Sequence, residues 1–161
     1  MLIKDRRFAE DSWTRIGADP EDGVLPVGDI IVPLSLWRAR RDELLGRNSR
    51  VGVTLEPEVP AQEIAADLDK LQVIALNFPA SKDGRVFSTA RLLRERYGFK
   101  GELRATGKFG RDQMFYLQRC GVNAFDLGDD RNNDDCLKAL DDFTVTYQSA
   151  VDQPVPLYRR R

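Results

Sequence analysis

Between Asp29 and Ser149, short apolar runs alternate five times with amphipathic stretches. The runs are DIIVP at 29–33, VGVTL at 51–55, VIALNF at 73–78, ELRA at 102–105 and AFDL at 124–127. Runs of this length, bounded by turn residues, read as strands. Regular strand–helix alternation predicts a parallel sheet with right-handed crossovers. VIALNF is apolar almost throughout, which suits a central strand covered on both faces.

The intervening stretches carry helical spacing. Helices are expected over 35–45, 61–70, 84–97, 111–120 and 133–149. In the third, Val86, Ala90, Leu93 and Tyr97 form one apolar stripe, Arg91, Arg94 and Glu95 lie off it, and Gly98 follows as a helix stop. In the last, Leu137, Leu140, Phe143 and Tyr147 are expected to face inward. Two architectures fit this order. One is a five-stranded, doubly wound parallel sheet, a flavodoxin-like or receiver-like three-layer sandwich with strand order 2-1-3-4-5. The other is a partial β/α barrel. Length favours the open sheet, since a closed barrel takes about 250 residues. The reading gives a single α/β domain over 28–150. An N-terminal extension, 1–27, packs on it, with Leu2-Ile3 and Trp13 as short strands. An irregular tail covers 151–161.

The chain has 161 residues and a net charge of −1, so it exerts no general pull on nucleic acid or an acidic membrane. No apolar run approaches the roughly 20 residues of a membrane-spanning helix. The opening MLIKDRRF turns charged before the apolar core of a signal peptide could form. The expected compartment is therefore the reducing cytoplasm, with Cys120 and Cys136 as free thiols. There is no histidine, which removes His-based triads, ligands and proton shuttles. Two cysteines do not make a usual iron–sulfur ligand set. Neither a GxxxxGK[ST] nor a GxGxxG loop occurs, so no cofactor is evident. A flavodoxin-like sheet could hold FMN, although no Ser/Thr-rich loop follows the first strand.

Charge is unevenly spread. Residues 82–119 hold ten Lys/Arg against four Asp/Glu. In a 2-1-3-4-5 sheet, ligands bind beyond the strand C-termini where the strand order reverses. That places the loops around 33–36 and 78–85 at the crevice, with 106–113 beside them. Asp83, Arg85, Ser88, Arg91, Arg104, Lys108, Arg111, Asp112 and Gln113 are the candidate anion- or partner-binding residues. Arginines near helix starts suit a small oxyanion. The plainer alternative is a solvated basic face whose arginines pair with neighbouring acids. Asp83 and Asp112 also fit helix starts as cap and dipole partner. No catalytic residue is assigned. Phe109 and Tyr116, if exposed beside the arginines, would make a protein-docking patch.

Two resemblances extend this reading. Arg104-Ala105-Thr106 and Cys120-Gly121-Val122-Asn123-Ala124-Phe125 are similar to the last two units of response-regulator receiver domains. The acceptor aspartate of a receiver has no counterpart, because the third strand ends in Asn77-Phe78-Pro79. The central run is more specific. Phe78-Pro79, Asp83-Gly84-Arg85-x-Phe87-Ser88, Arg91-Leu92-Leu93-Arg94-x-Arg96-Tyr97-Gly98, Gly101-Glu102-Leu103-Arg104-Ala105-x-Gly107, Arg111-Asp112-Gln113 and Arg119-Cys120-Gly121 resemble a family of short bacterial proteins. That family is described as oxidoreductases involved in sulfite reduction. Trp13 and Pro156-Leu157-Tyr158 follow it too. The resemblance implies a place beside the haem-containing sulfite reductase of sulfate-to-cysteine metabolism. Six-electron reduction needs a redox cofactor that these residues do not hold. The expected role is thus an accessory protein docking on sulfite reductase or its electron donor. The alternatives are a small enzyme or binding protein for an oxyanion or flavin at the strand ends, and a receiver-like regulatory or oligomerisation module.

Overall fold

The computed structural model describes residues 1–17, 23–128 and 132–160. Five parallel strands form its centre: β4 (Ile30–Pro33), β5 (Val51–Leu55), β6 (Val73–Phe78), β7 (Glu102–Gly107) and β8 (Ala124–Asp126). Three shorter strands come from the N-terminal segment: β1 (Leu2–Lys4), β2 (Arg7–Ala9) and β3 (Thr14–Arg15). β1 pairs antiparallel with β8 and with β2, while β3 pairs parallel with β4 at the far edge. The eight strands run β2-β1-β8-β7-β6-β5-β4-β3.

The order of the parallel strands is sequential, so the α/β class holds but the doubly wound 2-1-3-4-5 arrangement does not. Crossovers of one hand that always step the same way put every helix on the same face. The sheet curls as half of a barrel, and the flavodoxin-like three-layer sandwich is replaced by a two-layer shell. The strand residues of the outer face join the helices in one core. Ile30, Val32, Val53, Ile74, Leu76, Phe78, Leu103, Ala105 and Phe125 meet Trp37, Val86, Leu93, Met114 and Leu117 there. The inner face has its own small cluster, Ile31, Val73 and Ala75, covered by Trp13. Gly52 keeps that face flat, since a Cβ there would stand 2.9 Å from the Val73 Cβ.

The helices are α1 (Leu34–Ala39), α2 (Arg41–Leu45), α3 (Arg85–Glu95), α4 (Arg111–Arg119) and α5 (Asn133–Ala139). The 35–45 helix is broken at Arg40, and 61–70 forms two 3-10 turns, Ala61–Glu63 and Ala65–Lys70. The last helix stops at Ala139, ten residues short of the expected end. Thr144, Val145 and Thr146 are β-branched, and such a run disfavours helix. Leu140 is buried, but Phe143 and Tyr147 are exposed rather than inward.

Candidate functional site

The sequential order leaves no reversal between the first and third central strands. β5 lies between β4 and β6, and the loop after it fills the expected crevice with acids. Glu56 accepts a hydrogen bond from the Asn77 amide at 2.8 Å, and Glu58 pairs with Arg85 at 3.0 Å. Arg85 also forks onto Asp83 at 2.9 and 2.6 Å, and the Arg85 backbone N–H donates to Asp83 at the start of α3. The guanidinium holds the Asp83 carboxyl below its usual range, and Asp83 in turn raises Arg85. Gln113 joins this rim from α4. Its amide donates to the Ser81 carbonyl at 2.9 Å, and its oxygen accepts from Gly110 N–H at 2.8 Å. Asp83, Arg85 and Gln113 therefore border one rim.

Lys108 and Asp112 lie at the same β7–α4 junction as Gln113, on either side of Gly110. Ser88, Lys108 and Asp112 are exposed. Arg91 pairs with Glu95 one helical turn away at 2.9 Å. Arg111 ties α4 to the segment beyond it, through Asp135 at 3.1 Å and Asp142 at 2.5 Å, and those carboxylates raise its pKa. Arg104 departs most from expectation. It lies mid-strand on the inner face of β7, with a fully buried side chain, away from the rim.

A hollow of about 700 Å³ opens on the helix face between α4 and the chain that follows α5. Arg91, Phe115, Tyr116, Phe143, Val145 and Tyr147 are among its lining. Tyr116, Phe143 and Tyr147 are 59%, 64% and 62% exposed. The Phe115 and Phe143 rings meet tilted at 5.0 Å between centroids, and Phe87 and Tyr116 likewise at 5.3 Å. Phe109, the other expected docking aromatic, is buried in the core. Arg119 forms the floor, nearly buried, and donates to Thr146 Oγ1 at 2.9 Å, to Asp152 and to the Gln148 carbonyl. Cys120 also lines the hollow, and burial pushes its thiol pKa up. Both cysteines are buried, and no disulfide joins them. Among the described residues no group of three or more metal-ligating side chains converges.

The sequence reading missed two structural devices here. Phe143 and Tyr147 were assigned to a core that the chain never reaches. Asp11, in the N-terminal segment, meets Arg104 across 93 residues, a contact with no local signal.

Residues 52–158 match a profile described as bacterial protein of unknown function, DUF934. The chain belongs to that family. The match begins inside β5 and takes in the rim, the aromatic hollow and Arg104. No curated protein matches the chain significantly. Among the described residues, no helix is long and apolar enough to cross a membrane.

Proposed function

We propose that this DUF934 member is a non-catalytic accessory protein of assimilatory sulfite reduction, acting in the cytoplasm and docking on sulfite reductase or its electron donor. The resemblance of the central run supplies the pathway. The observation that carries a docking role is the hollow lined by Tyr116, Phe143, Val145 and Tyr147 beside Arg91. Aromatic and arginine side chains are the types that anchor protein interfaces, because they bury large area at small entropic cost. These aromatics are held half out of the surface, with Phe115 and Phe87 behind them, so little reorganisation is needed on contact. Arg85 at the strand-end rim already faces two carboxylates, which favours docking over anion capture at that place.

The test is an affinity pull-down of the tagged protein from its host grown on sulfate as sole sulfur source. Sulfite reductase or its donor should follow the wild type. A Tyr116→Ala/Tyr147→Ala variant should fold normally and lose the partner, as removal of two anchors costs about 2 kcal/mol or more each. A wild type that comes down alone would end this reading.

A further inference from the structure

The inner face of the half-barrel carries a buried ionic group that the docking reading does not use. Glu102 lies there at 5% side-chain exposure, between two cations. One carboxylate oxygen meets Lys4 Nζ at 2.8 Å and the other meets Arg104 Nε at 2.6 Å. Both oxygens are engaged, so Glu102 offsets one of these two positive charges and leaves the other. Asp11 offsets it, with Oδ2 at 2.7 Å from Arg104 Nη1.

The Asp11 contact is single-toothed. Its Oδ1 turns back to accept from the Trp13 backbone N–H at 3.2 Å. Arg104 Nη2 is consequently buried with no hydrogen-bond partner among the described residues. An unpaired, buried guanidinium nitrogen is costly, and a guanidinium fork is shaped for two parallel bonds to one oxyanion. The segment covering it is thin. Residues 10–12, 14 and 15 are exposed; Trp13 is partly buried against Ile31, Val73 and Ala75, and Ile16 is partly buried against the main core. The strap is held to β4 and its approach by the parallel β3–β4 pairing, with Thr14 N–H to Asp29 O and Ile16 N–H to Ile31 O both at 2.9 Å.

We infer that the inner face of the sheet is a binding site for one small oxyanion, seated on Arg104 Nη1 and Nη2, and that Asp11 occupies it in the ligand's absence. A ligand oxyanion would replace the one bond of Asp11 with two and satisfy Nη2. A singly charged oxyanion would take the place of the Asp11 charge and keep the buried group balanced, whereas a dianion would leave one negative charge in excess. Entry requires the 10–16 strap to lift, which weakens apparent affinity by the fraction of time the strap is closed. This site is independent of the aromatic hollow, on the opposite face of the sheet.

Equilibrium dialysis with labelled sulfate, and in parallel with labelled acetate, tests it on wild type, Asp11→Ala and Asp11→Ala/Arg104→Met. Asp11→Ala should bind one anion about tenfold or more tighter than wild type, because the competing carboxylate is gone. The double variant should lose that binding. A preference for sulfate or acetate identifies a tetrahedral or a planar ligand. A folded Asp11→Ala that binds neither anion better than wild type overturns the inference, as does a double variant that binds equally well. Should Asp11→Ala fail to fold, hydrogen exchange on wild type decides. Saturating sulfate or acetate should speed exchange at Thr14 and Ile16. Unchanged rates at both positions with both anions overturn it equally.

Discussion

Arg94 shows how much one side chain organises at the strand N-termini. Its Nε donates to Gly121 O at 2.9 Å, Nη1 to Phe99 O at 2.7 Å and Gly101 O at 2.9 Å, and Nη2 to Asn123 Oδ1 at 3.0 Å. Two loops converge on one planar group, and burial lowers its pKa. A lysine cannot reproduce that fork. Arg94→Lys should therefore cost about 2 kcal/mol in urea unfolding, with acceptors left partly unpaired. Asp67 is the acidic counterpart. It accepts from Arg41 Nη2 at 2.6 Å, Trp37 Nε1 at 3.0 Å and Lys70 at 3.0 Å. Arg41 first, then the indole and Lys70, hold its carboxyl far below the usual range. Ionised Asp67 thus stabilises the fold fully above its unfolded value near 3.8, and that contribution is lost as pH falls further. Asp67→Asn should be about 1–2 kcal/mol less stable than wild type at neutral pH, with the gap narrowing below about pH 4. A pH series of denaturation midpoints reads this directly, and a gap that stays constant to low pH would contradict it.

At the scale of elements, the chain beyond α5 is held by side chains rather than by regular structure. Arg119 reaches Thr146, Gln148 and Asp152, and Val151 N–H returns to Arg119 O at 3.1 Å. Arg160 adds bonds to the Val155 and Thr146 carbonyls. Arg119→Ala should release this segment while leaving the sheet intact. Limited proteolysis should then cut first within 143–152, at least several-fold faster than in wild type, since local opening free energy sets that rate. Such a segment is hard to read from sequence. Leu137 and Leu140 set a helical spacing that Phe143 and Tyr147 continue, and only the Thr144-Val145-Thr146 run argues against it. By contrast, 51–55 and 73–78 were legible to the residue, because each is a short apolar run between turn signals. The β1–β2 hairpin was not. Its turn uses Asp5 and Arg6 at φ 48° and 63°, without the Asn-Gly or Asp-Gly signature of such turns. At the candidate site, Arg85, Asp83 and Gln113 were placed on one rim by their loops. Arg104 is not on that rim because it lies mid-strand on β7, and its partner Asp11, far off in sequence, gives no local signal of the buried pair.

The curl of the whole sheet was written in the inner-face residues more than in the strand count. A doubly wound sheet is covered by helices on both faces, whereas β7 alternates Glu102, Arg104 and Thr106 with Leu103 and Ala105. Gly52, Thr54, Asn77 and Asp126 continue that small or polar face on neighbouring strands. One ion pair reports the curvature. Arg15 on β3 meets Asp126 on β8, and these strands stand five steps apart in the sheet. In a flat sheet, five steps at about 4.8 Å separate them by about 24 Å, beyond the reach of the two side chains. Only a sheet bent back over its inner face closes that gap. A double-mutant cycle of Arg15→Ala and Asp126→Ala should give a coupling of about 0.5–1 kcal/mol that declines with salt, as both groups are partly exposed. Arg15 is also the end of the strap over Arg104, so the same pair braces the strap. Removing it should raise anion affinity in wild-type background in the direction that Asp11→Ala does, but by less, because Asp11 still competes for Nη1. A cycle with no coupling would mean that this ion pair does not brace the strap.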